Sequence, residues 1–93
     1  MEFELVELGG DAFAFRKQED GKTIAEITWT LLGDVMVMDH TFVSPTLRGQ
    51  GVAKQLLDRA AEYARENELK MEAVCSYVVT AFDRYSDYED VIA

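Results

Sequence analysis

The organisation of the whole chain depends on one stretch, His40-Thr41-Phe42-Val43-Ser44-Pro45-Thr46-Leu47-Arg48-Gly49-Gln50-Gly51-Val52-Ala53-Lys54. An extended apolar run stops at a proline turn, and a loop with two glycines then opens directly into an amphipathic helix. The first turn of a helix leaves its backbone N–H groups without partners, and the helix dipole adds partial positive charge there. Glycine has no Cβ, so the loop can approach an anion closely and adopt positive φ. Together these features predict a cradle for a phosphate or pyrophosphate group.

Charge and turn chemistry support two interpretations of this loop. Arg48 and Lys54 bracket it with positive charge in a chain that is otherwise acidic. A Gly-x-Gly sequence before a helix is, however, often only a tight turn. The pattern alone therefore leaves open an anion-binding loop and a purely structural one.

The residues before the loop predict an antiparallel meander of four strands. Asp20-Gly21 is a strong hairpin signal, because a type I′ turn needs positive φ at both central positions. Gly33-Asp34 predicts a second tight turn, and β-branched and aromatic residues favour the strand between the two turns. The predicted strands cover residues 3–8, 12–18, 23–32 and 35–43.

Strand alternation sorts the side chains of the fourth strand into two rows. Met36, Met38, His40 and Phe42 are expected on one face, and Val35, Val37, Asp39, Thr41 and Val43 on the other. His40 is thus expected in an apolar row close to the loop. An imidazole at such a position is either a base that titrates near neutral pH or a core histidine bonded to the backbone. The strand pattern does not decide between these roles.

The helix after the loop has a broad apolar stripe, formed by Val52, Leu56, Ala60 and Ala64 with Ala53, Leu57 and Ala61 beside them. Residues 70–75 then predict a fifth strand. A strand–helix–strand connection of this length is what parallel pairing requires, so the fifth strand should lie parallel to the fourth. Short helical patterns follow Cys75. The predicted fold class is α+β, with residues 1–93 forming a single domain.

The segment Arg48-Gly49-Gln50-Gly51-Val52-Ala53 resembles the Arg/Gln-x-x-Gly-x-Gly/Ala motif of the GNAT superfamily of acyl-CoA-dependent N-acetyltransferases. The wider run, with a His-Thr-x-Val strand before the loop and a cysteine after the helix, is similar to the small single-domain members. The resemblance implies a GNAT-like fold, acetyl-CoA as cofactor, and a pantetheine arm inserted between splayed fourth and fifth strands. The cofactor-binding residues that it implies are Phe42, Val43, Arg48, Gly49, Gln50, Gly51, Val52, Ala53 and Lys54.

The acceptor implied by the resemblance is an amine, either a small molecule or a lysine side chain of a protein. Larger GNAT enzymes have helices after the first strand and two further strands that help form the substrate site, and this sequence has neither. The substrate side is therefore expected to be open, or to be completed by a second subunit in a homodimer.

His40, Cys75 and Tyr77 are the candidate catalytic residues. In a direct transfer, which we favour, His40 removes a proton from the acceptor ammonium, and Cys75 or Tyr77 protonates the departing thiolate. In a ping-pong route, Cys75 is itself acetylated and passes the acetyl group on. Cys75 is equally well explained as a small buried hydrophobic residue. His40 and Cys75 would approach each other if they shared a face of adjacent parallel strands.

Composition excludes several classes of function. A formal net charge of −9 argues against an extended nucleic-acid surface, because phosphate contacts need clustered Lys and Arg. No window reaches the roughly 18 apolar residues of a membrane span, and no signal-peptide pattern is present. One Cys and one His do not form a zinc ligand set, so we expect no metal. A lone cysteine fits a reducing compartment, and we expect a cytoplasmic protein.

Two further classes of function stay open beside the acetyltransferase. One is an acyl-CoA-binding module with little catalysis, since the substrate half of the larger enzymes is missing. The other is a structural or interaction domain in which the glycine loop is only a turn.

Overall fold

Five strands form one mixed sheet in the computed structural model, which describes residues 1–93. The strands follow one another across the sheet in chain order, with β1 to β4 antiparallel and β5 parallel to β4. The α+β fold and the parallel pairing of the last two strands are therefore confirmed. The elements are β1 (Glu4–Gly9), β2 (Ala12–Glu19), β3 (Lys22–Leu32), β4 (Val35–Val43), a 3-10 turn (Pro45–Leu47), α1 (Val52–Glu66), β5 (Lys70–Ala73), α2 (Ser76–Arg84) and a second 3-10 turn (Ser86–Tyr88).

The β2–β3 hairpin closes at the predicted turn. Asp20 has φ 52° and Gly21 has φ 77°, so both central residues adopt the left-handed conformation that a type I′ turn requires. Aspartate is among the few residues other than glycine that tolerate this conformation. The turn therefore follows from local chemistry alone.

One face of the sheet packs against the helices. Trp29, Met36 and Met38 are fully or almost fully buried there, beneath Leu56 and Leu57 of α1. Burying a leucine side chain contributes about 1.5–3 kcal/mol, so the apolar stripe predicted for α1 fixes the helix on this face. Residues of α2 and of the C-terminal segment belong to the same buried cluster of 17 residues. No helix combines the length and apolar character that crossing a bilayer would require.

A β-bulge in β4 overturns the predicted alternation of its side chains. Thr28 of β3 pairs with His40, whereas the next residue, Trp29, pairs with Met38, so Asp39 is an extra residue without a partner of its own. An extra residue shifts the side-chain period by one position. The prediction that His40 and Phe42 share a face with Met36 and Met38 is therefore wrong. Both are exposed on the opposite, helix-free face, whereas Thr41 and Val43 are half-buried on the helix side.

The fourth and fifth strands separate just beyond the bulge. Their parallel pairing ends at Met38 and Ala73, and the Met38 carbonyl accepts the N–H groups of both Val74 and Cys75, at 3.1 and 2.9 Å. β4 continues to Val43, while the chain after Ala73 turns into α2. A cleft therefore opens between the two strands on the side of the glycine loop.

Candidate active site

The glycine loop joins β4 to α1 through two left-handed residues. Gly49 has φ 80° and Gly51, the N-cap residue of α1, has φ 68°. An added Cβ would meet no atom within 4 Å at either position, so these glycines are required by backbone conformation and not by crowding. Gly51 provides no side-chain cap for the helix. The amides of the first turn are consequently left without a side-chain acceptor.

A continuous run of backbone N–H groups, from Gly49 to Lys54, has no acceptor within the chain. The first amide of α1 that has a hydrogen-bond acceptor is that of Gln55, which donates to the Gly51 carbonyl at 3.1 Å. On the other side of the run, the Arg48 amide donates to the Pro45 carbonyl at 3.3 Å. Partnerless amides at the positive end of a helix dipole are the chemistry that binds phosphate.

A cavity of about 380 Å³ lies in front of these amides. It is bounded on one side by the loop and the start of α1 and on the other by two tyrosines of the C-terminal part. Its lining residues are Val43, Leu47, Arg48, Gly49, Gly51, Val52, Ala53, Lys54, Tyr77 and Tyr85. Free amides, two cationic side chains and an apolar wall fit a ligand that has phosphate groups and an aliphatic arm. The donor set therefore suits coenzyme A.

Most of the residues predicted for cofactor binding line this cavity, but two do not. Phe42 is 40% exposed and pairs with Glu26 on the helix-free face of the sheet. Gln50 lies in the loop, where its carbonyl accepts a hydrogen bond from the Gln55 side chain at 3.4 Å. Leu47 and Tyr85 also line the cavity, and the sequence did not predict this, because only the tertiary fold brings them next to the loop.

Lys54 lies at the mouth of the cavity and is held by acidic neighbours. Its ammonium is 3.2 Å from Asp58 and 3.5 Å from Asp87, and it lies 4.8 Å from the centre of the Tyr85 ring. Burial acts to lower the pKa of Lys54, but the hydrogen bond and the charge of Asp58, with Asp87, outweigh it and raise the pKa above its ordinary value. Lys54 is therefore a positive charge whose own carboxylates compete with any bound phosphate.

Cys75 lies at the cleft between the strands, at the N-cap of α2. Its Sγ is half-buried and lies 3.3 Å from the hydroxyl of Thr41. The side chain that meets Cys75 is thus Thr41 and not His40, because the bulge has exchanged their faces. Tyr77, two residues further on, lines the cavity in front of the loop amides, and burial raises the pKa of its phenol.

The helix-free face at the bulge presents a carboxylate beside an imidazole. Asp39 accepts hydrogen bonds from the hydroxyls of Thr28, at 2.5 Å, and Thr30, at 3.3 Å. His40, the next residue, is exposed on the same face. Sequence reasoning missed Asp39, although a charged residue inside the run Val35 to Val43 was a visible irregularity.

A larger cavity, of about 540 Å³, lies between α1 and the three N-terminal residues that precede β1. Its walls are mainly charged or polar and include Glu2, Asp58, Arg59 and Glu62. None of the partnerless loop amides lines it, so the chemistry favours the smaller cavity as the cofactor site.

The sequence model of the GCN5-related N-acetyltransferases matches residues 12–91, and this chain belongs to that family. The family and the similar structures indicate an N-acetyltransferase enzyme. A GCN5-like protein from Staphylococcus aureus is 36% identical, with a TM-score of 0.73, and the match covers 97% of this chain and 87% of that one.

Larger acetyltransferases share the fold over part of their length. The ribosomal-protein-alanine N-acetyltransferase of Brucella melitensis is 26% identical, with a TM-score of 0.61, and the match covers 89% of this chain and 64% of that one. An aminoglycoside N-acetyltransferase in complex with CoA is 20% identical, with a TM-score of 0.61 and coverage of 91% and 75%. The second likeness concerns the fold alone. No curated protein matches this sequence.

Proposed function

We propose that this protein transfers an acetyl group from acetyl-CoA directly to an amine, either of a small molecule or of a lysine side chain. The observation that carries the proposal is the run of partnerless N–H groups from Gly49 to Lys54, which faces a cavity of about 380 Å³. Arg48 and Lys54 supply positive charge at its edge, and Val43, Val52 and Tyr77 supply the apolar wall. When bound, acetyl-CoA supplies an activated acetyl thioester.

His40 is the proposed general base. It lies on the helix-free face at the level where β4 and β5 part, opposite the side that holds the cofactor loop. An amine arriving on that face loses a proton to the imidazole, which is exposed and can accept it as a general base. The acceptor and the cofactor then approach the cleft from opposite faces of the sheet.

Tyr77 is proposed to stabilise the departing sulfur by a hydrogen bond. Burial raises the pKa of its phenol, which keeps the proton on the oxygen at neutral pH and makes the group a donor more than an acid. Full proton transfer to the thiolate is better assigned to Cys75 or to water.

A ping-pong route through Cys75 is the second candidate, favoured by the contact of its sulfur with the Thr41 hydroxyl at 3.3 Å. In that route a bond forms between Cys75 Sγ and the acetyl carbon, the thioester bond breaks, and the thiol proton leaves with the released coenzyme. The acceptor amine then attacks the acetyl-cysteine and regenerates the thiol.

Two measurements test the proposed function. Calorimetric titration with CoA should give saturable heat, and its absence would remove both the transferase and the acyl-CoA-binding interpretation. Acetyl-CoA turnover across a panel of amines then separates them, because a binding module would take up CoA and release no acetylated product. Thiol release without any amine gives the background for hydrolysis.

A further inference from the structure

The helix-free face of the sheet holds an unusual carboxylate at the β4 bulge. Asp39 is fixed by the hydroxyls of Thr28 and Thr30, and no lysine, arginine or histidine forms an ion pair with it. The neighbouring acid on this face, Glu26, is in contrast neutralised by Arg16 at 3.2 Å. Asp39 is therefore an exposed negative charge, held in one orientation and left without a counter-charge.

The hydrogen-bonding capacity of Asp39 is only partly used. An ionised carboxylate has about four acceptor positions, and the two threonine hydroxyls occupy two of them. The remaining positions accept no hydrogen bond from another side chain and are available to an ammonium donor. A carboxylate that is already fixed loses little conformational entropy when such a donor binds.

We propose that Asp39 and His40 form the acceptor-binding site and that the acceptor is a short aliphatic diamine or polyamine. One ammonium binds the Asp39 carboxylate, and the second amine lies at the cleft beside His40. This inference rests on the proposed transferase function and names the substrate class of that site. Asp39 is thus an acceptor-binding and specificity-determining residue.

The shape and charge of this face favour a small polycation. None of the four cavities includes Asp39 or His40, so the surface is open and affinity has to come from charge and not from enclosure. Asp39 and His40 are consecutive residues exposed on the same face, so a short diamine can bind the carboxylate with one nitrogen and lie beside the imidazole with the other. The net charge of −9 attracts cations to the surface as a whole. Glu72 of β5, which pairs with Val37 and is exposed on the same face, is a second carboxylate without an ion pair and adds to the negative charge near the cleft.

The kinetic test compares acceptors that differ by one ammonium group. Asp39→Asn should raise KM for 1,4-diaminobutane about five- to tenfold with little change in kcat, because a charge-assisted hydrogen bond is lost while the amide keeps the same size. Butylamine, which has no second ammonium, should show no change in KM. Glu4→Gln is the matched control, since it removes one charge from the same face at the far strand β1 and should leave both acceptors unaffected.

A second variant tests whether a change in the structure of the bulge, and not the loss of charge, explains the effect of Asp39→Asn. Thr30→Val removes one of the two hydroxyls that hold Asp39 and keeps the charge, so KM for the diamine should rise by less than in Asp39→Asn. An equal loss of kcat with both amines in Asp39→Asn would overturn the proposal, because it would indicate a role in the reaction and not in recognition. Preferred turnover of a lysine-containing peptide over the diamine would overturn the substrate class.

A binding measurement without cofactor separates this inference from the proposed function. Titration of the ¹⁵N-labelled protein with 1,4-diaminobutane should shift the amide signals of Thr28, Thr30, Asp39 and His40, and Asp39→Asn should abolish these shifts. Saturable CoA binding with no diamine-dependent shift at these residues would overturn the inference alone. Diamine binding at Asp39 without turnover of any amine would support the site and overturn the transferase proposal.

Discussion

Replacing Gly51 by aspartate tests the phosphate cradle directly. Gly51 is the N-cap of α1, has φ 68° and lines the cavity in front of the free amides. A Cβ at this position would meet no atom within 4 Å, so the new side chain enters open space and does not displace the fold. Aspartate is also one of the residues that best tolerates the left-handed conformation. The substitution therefore adds a negative charge to the cradle of an otherwise folded protein.

The expected loss of CoA affinity follows from Coulomb's law. Two like charges about 4 Å apart repel by about 4 kcal/mol at the effective dielectric of a protein surface and by about 1 kcal/mol in bulk water. The cavity is open to solvent on one side, which puts the penalty at about 2–3 kcal/mol. That penalty corresponds to a loss of affinity of about 30- to 150-fold.

Gly33→Asp is the matched control for this experiment. Gly33 lies in the β3–β4 turn with φ 62°, and a Cβ there also meets no atom within 4 Å. Both substitutions should cost about 1 kcal/mol of backbone strain and lower Tm by about 4–8 °C. Calorimetric titration with CoA at one fixed salt concentration then isolates the effect of charge in the cradle. A folded Gly51→Asp protein that binds CoA as tightly as Gly33→Asp would refute the assignment of the loop.

Three further substitutions address the chemistry and the charge balance. His40→Ala should lower kcat about 10²–10⁴-fold, as loss of a general base does, while CoA affinity measured by calorimetry stays constant; equal losses in both would indicate a structural role. Cys75→Ser should be mild under direct transfer, and intact mass after mixing with acetyl-CoA in the absence of amine should show no acetyl adduct; an adduct on Cys75 that amine discharges would establish the ping-pong route. Asp87→Asn should tighten CoA binding severalfold, because it removes a carboxylate 3.5 Å from Lys54 at the cavity mouth, and the gain should shrink when the titration is repeated at high salt.

Local signals explain why the loop and the fold could be predicted. A Gly-x-Gly sequence between an apolar strand and an amphipathic helix specifies its own backbone geometry, and the strand–helix–strand length determines parallel pairing. The run of partnerless amides from Gly49 to Lys54 is continuous in sequence, so no long-range information was needed to locate it. The family resemblance then supplied the ligand that we propose for it.

Tertiary contacts explain what could not be predicted. Tyr85 reaches the cavity because the C-terminal segment folds back onto α1, where Tyr88 donates a hydrogen bond to Asp58 and Arg65 binds Asp90 at 2.7 Å. These contacts join residues about a third of the chain apart, and no sequence periodicity encodes them. The composition, with 18 acidic and 9 basic residues, predicts that ion pairs form but not which residues form them.

The β4 bulge has the largest consequence for the chemistry, since one extra residue changes which side chains can cooperate. Regular alternation would have placed His40 on the face where Cys75 lies, and the two residues would have formed a base–nucleophile pair. With Asp39 inserted, the cysteine instead meets the hydroxyl of Thr41, which is too weak a base to activate it at neutral pH, and His40 turns to the opposite face beside Asp39. An activated nucleophile needs a base within hydrogen-bond reach, and no such base contacts Cys75. In the proposed mechanism, the same separation lets an amine acceptor approach the imidazole without crossing the proposed cofactor site. This geometry is the physical reason for preferring direct transfer over an acetyl-cysteine route.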